Sequence, residues 1–171
     1  MAALISPSPL DSERNDPLNT ALDKRVWVRW QTVVFVVIFI AAVLTRLVGL
    51  GDRAMSHDES LHVFYSYNLY MKGDFDHTPL MHGPILFHAN ALMYALFGDS
   101  DFSGRLYAAL LGIGMVMSPL LFRRWLGKWG TILACLMILI SPLLMYYNRY
   151  IREDTPAIMA SILMAWSALT Y

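Results

Sequence analysis

Apolar residues fall along this chain in long unbroken runs, not in the stripes of a water-soluble core. Trp30–Thr45, Leu106–Phe122, Thr131–Asn148 and Thr155–Tyr171 contain no charged residue. Each run is close to the roughly 20 residues that cross about 30 Å of hydrocarbon. Core helices of soluble proteins carry a polar face that these runs lack. The pattern predicts an all-α fold of polytopic transmembrane helices with a long outer loop. The spans are expected at 30–50, 104–123, 128–148 and 155–171, the first reaching Leu50 because Arg46 can snorkel toward the nearby surface. Residues 1–29 read as a disordered tail, rich in Pro, Ser, Asn and Asp at its start. The first apolar run is too long and too far from the N-terminus for a cleaved signal peptide, and reads as a signal anchor.

The outer loop, 51–103, is too polar to span. His57–Lys72 mixes Leu61, Phe64, Tyr65 and Leu69 with polar groups, and Ile85–Phe97 is apolar but too short to cross. Both are expected to be interfacial helices, separated by a loop with Gly and Pro breaks, KGDFDHTPLMHGP. The last apolar run continues to Tyr171 without a flanking charge. That predicts the N-terminal part of a longer chain, or a gene truncated in this helix.

Composition narrows the class. Of 171 residues, 57% are apolar and 15% charged, against roughly 45–50% and about 25% in an ordinary soluble domain. Thirteen Lys and Arg cancel thirteen Asp and Glu, which removes the basic excess a nucleic-acid binder needs. The single Cys135 excludes a disulfide framework and any cysteine-based cluster. Orientation follows from basic residues. Lys24, Arg25 and Arg29 precede the first span, and Arg123, Arg124 and Lys128 lie in the turn RRWLGK. The N-terminus and that turn are therefore expected on the cytoplasmic side of a cell membrane, with Trp27, Trp30, Trp125 and Trp129 as an aromatic belt. Residues 51–103 and the turn NRYIRED lie outside. Arg149 and Arg152 run against this bias and need a reason to be there.

The chemistry concentrates on the outer side. All five His and seven of the thirteen acids fall between Asp52 and Asp101. Ser56 followed by Glu59 is a capping-box pattern, so Glu59 is either a cap or a functional acid. Asp58 sits in the same first turn, where the helix dipole favours its ionised form. It either complements the dipole or accepts a proton from a substrate hydroxyl. Glu153 and Asp154 precede Thr155-Pro156, with Thr155 expected as cap and Pro156 at the first helical position. Two acidic pairs far apart in sequence thus converge on one membrane face. Arg149 and Arg152 either pair with these acids or hold a lipid phosphate. His57 and His82, with His62, His77 and His88, fit interfacial hydrogen bonding or substrate contact better than zinc, because their spacing is irregular. No metal and no cofactor are expected.

The run MSHDESLHVFYSYNLYMKGDFDHTPLMHGPILFHANAL, together with YYNRYIREDTPAIM, resembles the GT-C membrane glycosyltransferases. The likeness is to the protein O-mannosyltransferase and lipid A aminoarabinosyltransferase type, glycosyltransferase family 39. Within it the chain is most similar to a flippase-activity-associated subgroup linked to archaeal N-glycosylation. The resemblance covers roughly 27–171. It implies transfer of a sugar from a polyprenyl-phosphate donor on the outer membrane face, with inversion at the anomeric carbon. Asp58 matches the general base, and Glu153 and Asp154 match an acidic pair that orients the site. HTPLMHGP stands where relatives carry an acid followed by prolines. The implied partners are membrane lipids and the lipid-linked sugar. The competing reading is a truncated, non-catalytic subunit packed in a larger membrane assembly such as an electron-transport complex. Gly112 and Gly114 would then permit close helix approach.

Overall fold

The computed structural model describes residues 17–73, 75 and 83–171. Every secondary-structure element among them is helical. In chain order these are α1 (Pro17–Leu47), α2 (His57–Lys72), α3 (Pro84–Phe97), α4 (Asp101–Met117), a 3₁₀ turn (Ser118–Phe122), α5 (Arg123–Ile140), α6 (Pro142–Tyr147) and α7 (Asp154–Thr170). The chain divides into two compact units, Met1–Val37 and Ile38–Tyr171. The described part of the first is the beginning of α1. The second holds everything else.

The expected tail is helical from Pro17 onward. Proline suits the first helical position, and a helix already nucleated by the apolar run extends cheaply through Leu, Ala, Lys and Arg. Residues 1–16 lie outside the described residues.

Two helical stretches, Trp30–Leu47 and Asp101–Ile140, are long and apolar enough to cross a membrane. Their side chains argue the same way. Val36, Val37, Phe39, Ile40 and Leu44 on α1, and Leu133, Met137 and Ile140 on α5, are exposed. Contiguous apolar faces of that kind suit hydrocarbon and not water. The second stretch is not one rod. It tightens to a 3₁₀ turn at Ser118-Pro119 and breaks inside RRWLGK, where Gly127 takes φ 67° and ψ −174°. A side chain would strain that backbone.

The run Thr131–Asn148 reads as one span but is divided. α5 ends at Ile140, and Ser141 in extended conformation (φ −64°, ψ 114°) starts α6 with Pro142 at its first position. The Ser141 hydroxyl accepts from Leu144 N–H at 3.5 Å. A proline at N1 lacks only a donor that would have been orphaned there anyway.

α2 and α3 form an aromatic seam. His62 and Tyr65 approach Phe87 at ring-centroid distances of 5.7 and 6.4 Å, and Tyr67 and Tyr70 approach Tyr94 at 6.4 and 6.3 Å. α4 packs against α3, α5 and α7. Near its start, at Gly104, α4 meets α2, α3 and the segment before α7. A Cβ there would stand 2.8 Å from the Tyr94 hydroxyl, 3.5 Å from Ile151 Cδ1 and 3.6 Å from Val63 Cγ2. The absent side chain is what lets α2, α3 and the segment before α7 close on α4.

Candidate functional site

The site begins at the first turn of α2. Ser56 is the N-cap, with extended backbone (φ −75°, ψ 168°), and the capping box is complete. Glu59 N–H donates to Ser56 Oγ at 3.4 Å, and Ser56 N–H donates to Glu59 Oε2 at 3.1 Å. The motif S-x-x-E dictates this local geometry. What the motif does not dictate is the rest of the Glu59 environment.

The Glu59 side chain is fully buried. Arg105, at the start of α4 and 1% exposed, donates from Nε to Oε1 at 3.0 Å and from Nη2 to Oε2 at 3.2 Å. Arg53 Nη2 donates to Oε2 at 2.9 Å, and Ile151 N–H donates to Oε1 at 3.4 Å. The fork of Arg105 is the bidentate geometry that gives such pairs their strength. Its remaining Nη1 donates to Leu50 O at 3.0 Å and Arg53 O at 2.9 Å. Burial pushes the Glu59 carboxyl upward. The hydrogen bonds from Arg105 and the Ser56 backbone, with the charges of Arg105 and Arg53, outweigh that and hold it below the usual carboxylate range. Glu59 is therefore an ionised structural anchor.

Asp58, one residue earlier, is exposed, as is His57. The anchor beneath them also fixes what lies opposite. Ser56 Oγ and the Tyr150 hydroxyl share a hydrogen bond of 2.6 Å. Together with the Ile151–Glu59 bond, it ties the start of α2 to the turn before α7. Arg53 completes the joint. Its guanidinium lies 5.2 Å from the Tyr146 ring centroid and 5.3 Å from that of Tyr150, within cation–π range.

The second acidic pair lies on that turn. Arg152 Nε stands 3.2 Å from Asp154 Oδ2, an ion pair between side chains 50% and 45% exposed whose alignment does not make a hydrogen bond. Glu153 Oε1 is buried without a hydrogen-bond partner. It points toward the start of α3, 3.8 Å from where a Cβ on Gly83 would stand. The positive end of that helix favours a carboxylate.

α7 begins at Asp154, with Glu153 in the cap position and no side-chain cap. Thr155 was expected to cap and does not. Its hydroxyl donates to Tyr147 O at 3.1 Å or Asn148 Oδ1 at 3.3 Å. Pro156 falls within the first turn, where a missing N–H breaks no intrahelical bond.

Arg149 takes a position the basic pattern did not reveal. Its Nη1 donates to Thr45 O at 2.9 Å, and its Nη2 donates to Val48 O and Gly49 O at 2.8 Å each. It thus satisfies carbonyls left over at the C-terminal end of α1. His82, like His77, lies outside the described residues. No group of three or more His, Cys, Asp or Glu among the described residues is arranged to hold a metal ion.

Arg105 and Arg53 are the residues that sequence reasoning missed. The available signal was a lone cation, Arg105, at the mouth of an apolar run, where an unpaired charge is costly.

A family model described as dolichyl-phosphate-mannose-protein mannosyltransferase matches residues 81–171, just over half of the chain. Comparison with curated proteins and with solved structures finds no match.

Proposed function

Because the chain belongs to the dolichyl-phosphate-mannose-protein mannosyltransferase family, a family of membrane glycosyltransferases of the GT-C type, we propose that it contributes the base-bearing part of a glycosyl-transfer site. The donor is a polyprenyl-phosphate sugar. The acceptor is a hydroxyl at the outer membrane face, with the chain's N-terminus cytoplasmic and the protein multi-pass. Asp58 takes the acceptor proton as the hydroxyl oxygen attacks C1 of the sugar. The bond from C1 to the phosphate oxygen breaks, and the polyprenyl phosphate leaves with the electron pair. Glu153 and Asp154 orient the acceptor. Arg152 and Arg149 carry positive charge toward the leaving phosphate; bonds to carbonyls take three of the five N–H donors of Arg149 and do not neutralise it. His57 and His82 contact the substrate. The flippase-associated subgroup fits the run from Met55 to Leu92.

The observation that carries this reading is the division of labour at Asp58-Glu59. Glu59 is locked by five hydrogen bonds that also bring in Ile151. Its neighbour Asp58 stays exposed, on the same joint as Glu153 and Asp154. A transition state needs preorganised groups from several elements, so the transfer assay belongs to the longest natural chain that carries these residues. Asp58→Asn in that protein abolishes sugar transfer from a polyprenyl-phosphate donor while the melting curve stays unchanged. Retained transfer removes Asp58 from the base role.

A further inference from the structure

We propose that the turn RRWLGKW, residues 123–129, is a docking surface for the anionic phospholipids of the membrane leaflet opposite the proposed transfer site. All seven residues are exposed, Trp125 at 43% and Trp129 at 71%. Arg123, Arg124 and Lys128 give the turn three positive charges. No Asp or Glu occurs in the sequence between Asp101 and Glu153, so the stretch that carries these cations supplies no carboxylate of its own.

The elements on either side set its depth. The seventeen residues of α4 and the five of the 3₁₀ turn rise about 25 and about 10 Å, together enough to cross about 30 Å of hydrocarbon. Arg105, near one end of this rise, is locked into the Glu59 joint, and Arg123 follows the other end. The charge-free runs 106–122 and 131–148 flank the turn. Its outer side is open. Gly127 breaks the helix at φ 67° and ψ −174°, and a Cβ on it would meet nothing within 4 Å. The buried Thr131 donates its hydroxyl proton to Gly127 O at 2.6 Å, which fixes where the next helical stretch starts.

A headgroup layer answers this mixture of side chains better than an acidic protein does. Indole rings favour the membrane–water interface, where an apolar body and a polar N–H are both accommodated. The Arg124 guanidinium lies 5.9 Å from the Trp125 ring centroid, within cation–π range, so charge and ring are presented together. Leu126 is exposed between the cations. An acidic protein surface would match the charges alone; an anionic leaflet matches the charges, the indoles and Leu126 at once. Each Lys or Arg beside such a leaflet is worth about fivefold in affinity. The partner is the bulk lipid of that leaflet and not a lipid-linked substrate. None of Asp58, Glu59, Glu153 or Asp154 belongs to the turn, so the inference stands whether or not Asp58 is the base.

The chain has five tryptophans. With Trp27→Phe, Trp30→Phe and Trp166→Phe, only Trp125 and Trp129 report on lipid contact. The full chain carrying these changes is reconstituted in phosphatidylcholine vesicles that contain increasing fractions of dibrominated phosphatidylglycerol or of dibrominated phosphatidylcholine, whose bromines quench tryptophan fluorescence on contact. At low salt the anionic lipid is expected to occupy the turn at least about fivefold more tightly than the zwitterionic one. In about 1 M salt, where screening acts within roughly 3 Å, the preference should fall to within about twofold. Arg124→Gln leaves two cations in place and is expected to lower the preference at least about twofold. The triple variant Arg123→Gln, Arg124→Gln, Lys128→Gln is expected to abolish it while quenching by dibrominated phosphatidylcholine persists, which shows that the turn still meets the bilayer. Equal quenching by the two lipids at low salt, a preference kept at the parental level in both variants, or no quenching by either lipid overturns the proposal.

Discussion

The two acidic pairs sit on one joint and behave differently. At the start of α2, Glu59 is sealed from solvent and held by Arg105, Arg53, Ser56 and Ile151. At the start of α7, Asp154 is 45% exposed and has one ion pair, to an equally exposed Arg152, while Glu153 keeps an oxygen with no partner. The first arrangement saturates a carboxylate. It leaves no lone pair for a substrate and can only build structure. The second leaves acceptor capacity in place beside a helix N-terminus. Asp58 belongs with the second group despite its position next to Glu59, because exposure and not sequence neighbourhood decides which acid can meet a hydroxyl.

The largest effect expected from this contrast comes from Arg105→Leu. It takes one of two cations from the buried Glu59 carboxylate, leaving it the ion pair with Arg53, strands the Leu50 carbonyl, and should lower unfolding free energy by about 3 kcal/mol, the lower end of the usual penalty for breaking a buried pair. Chemical denaturation in detergent measures it, and a loss below about 1 kcal/mol would erase the distinction between the two acidic pairs. Next comes Arg149→Ala, which orphans the Thr45 and Val48 carbonyls at the end of α1 and leaves Gly49 O with a single 3.4 Å bond from Asp52 N–H. It should destabilise by about 1–3 kcal/mol and speed hydrogen exchange at the last turn of that helix.

The pH dependence separates the pairs further. The carboxyl of Glu59 titrates below its unfolded value, so its contribution is complete above the ordinary glutamate range, about 4.3, and is lost as pH falls through the lower folded value. Thermal unfolding should therefore stay level between neutral pH and mildly acidic conditions and drop below that range. In Glu59→Gln the acid-side drop should shrink, which assigns it to this residue. The smallest effect is expected at Asp154→Asn, which removes only an exposed ion pair. It should change stability by less than about 0.5 kcal/mol.

Much of the architecture was legible because it is local. The charge-free runs announce apolar helices. S-x-x-E announces the start of α2, whereas the Gly83-Pro84 pair, expected as a loop break, is the N-cap and first residue of α3. Ser141-Pro142 carries an equally local helix-start signal, but it sits inside an unbroken apolar run, and hydropathy alone hides it. The site was legible only in part, for a different reason. That Glu59 meets Arg105, and that Arg149 closes α1, are pairings between residues 46 and about 100 positions apart. A charge in a sequence shows that a partner is needed without showing which. Arg149 illustrates the point: its place against the positive-inside bias marked it as unusual, and its partners proved to be backbone carbonyls.

In the proposed topology Asp58 and Asp154 share one aqueous compartment, across the bilayer from the start of the chain. Single cysteines at 58, 154 and 24 in a Cys135→Ala background, treated with a membrane-impermeant maleimide on intact cells, test it directly. Positions 58 and 154 are expected to label from outside, and 24 only after the membrane is opened. Labelling of 58 and 154 from opposite sides would contradict it.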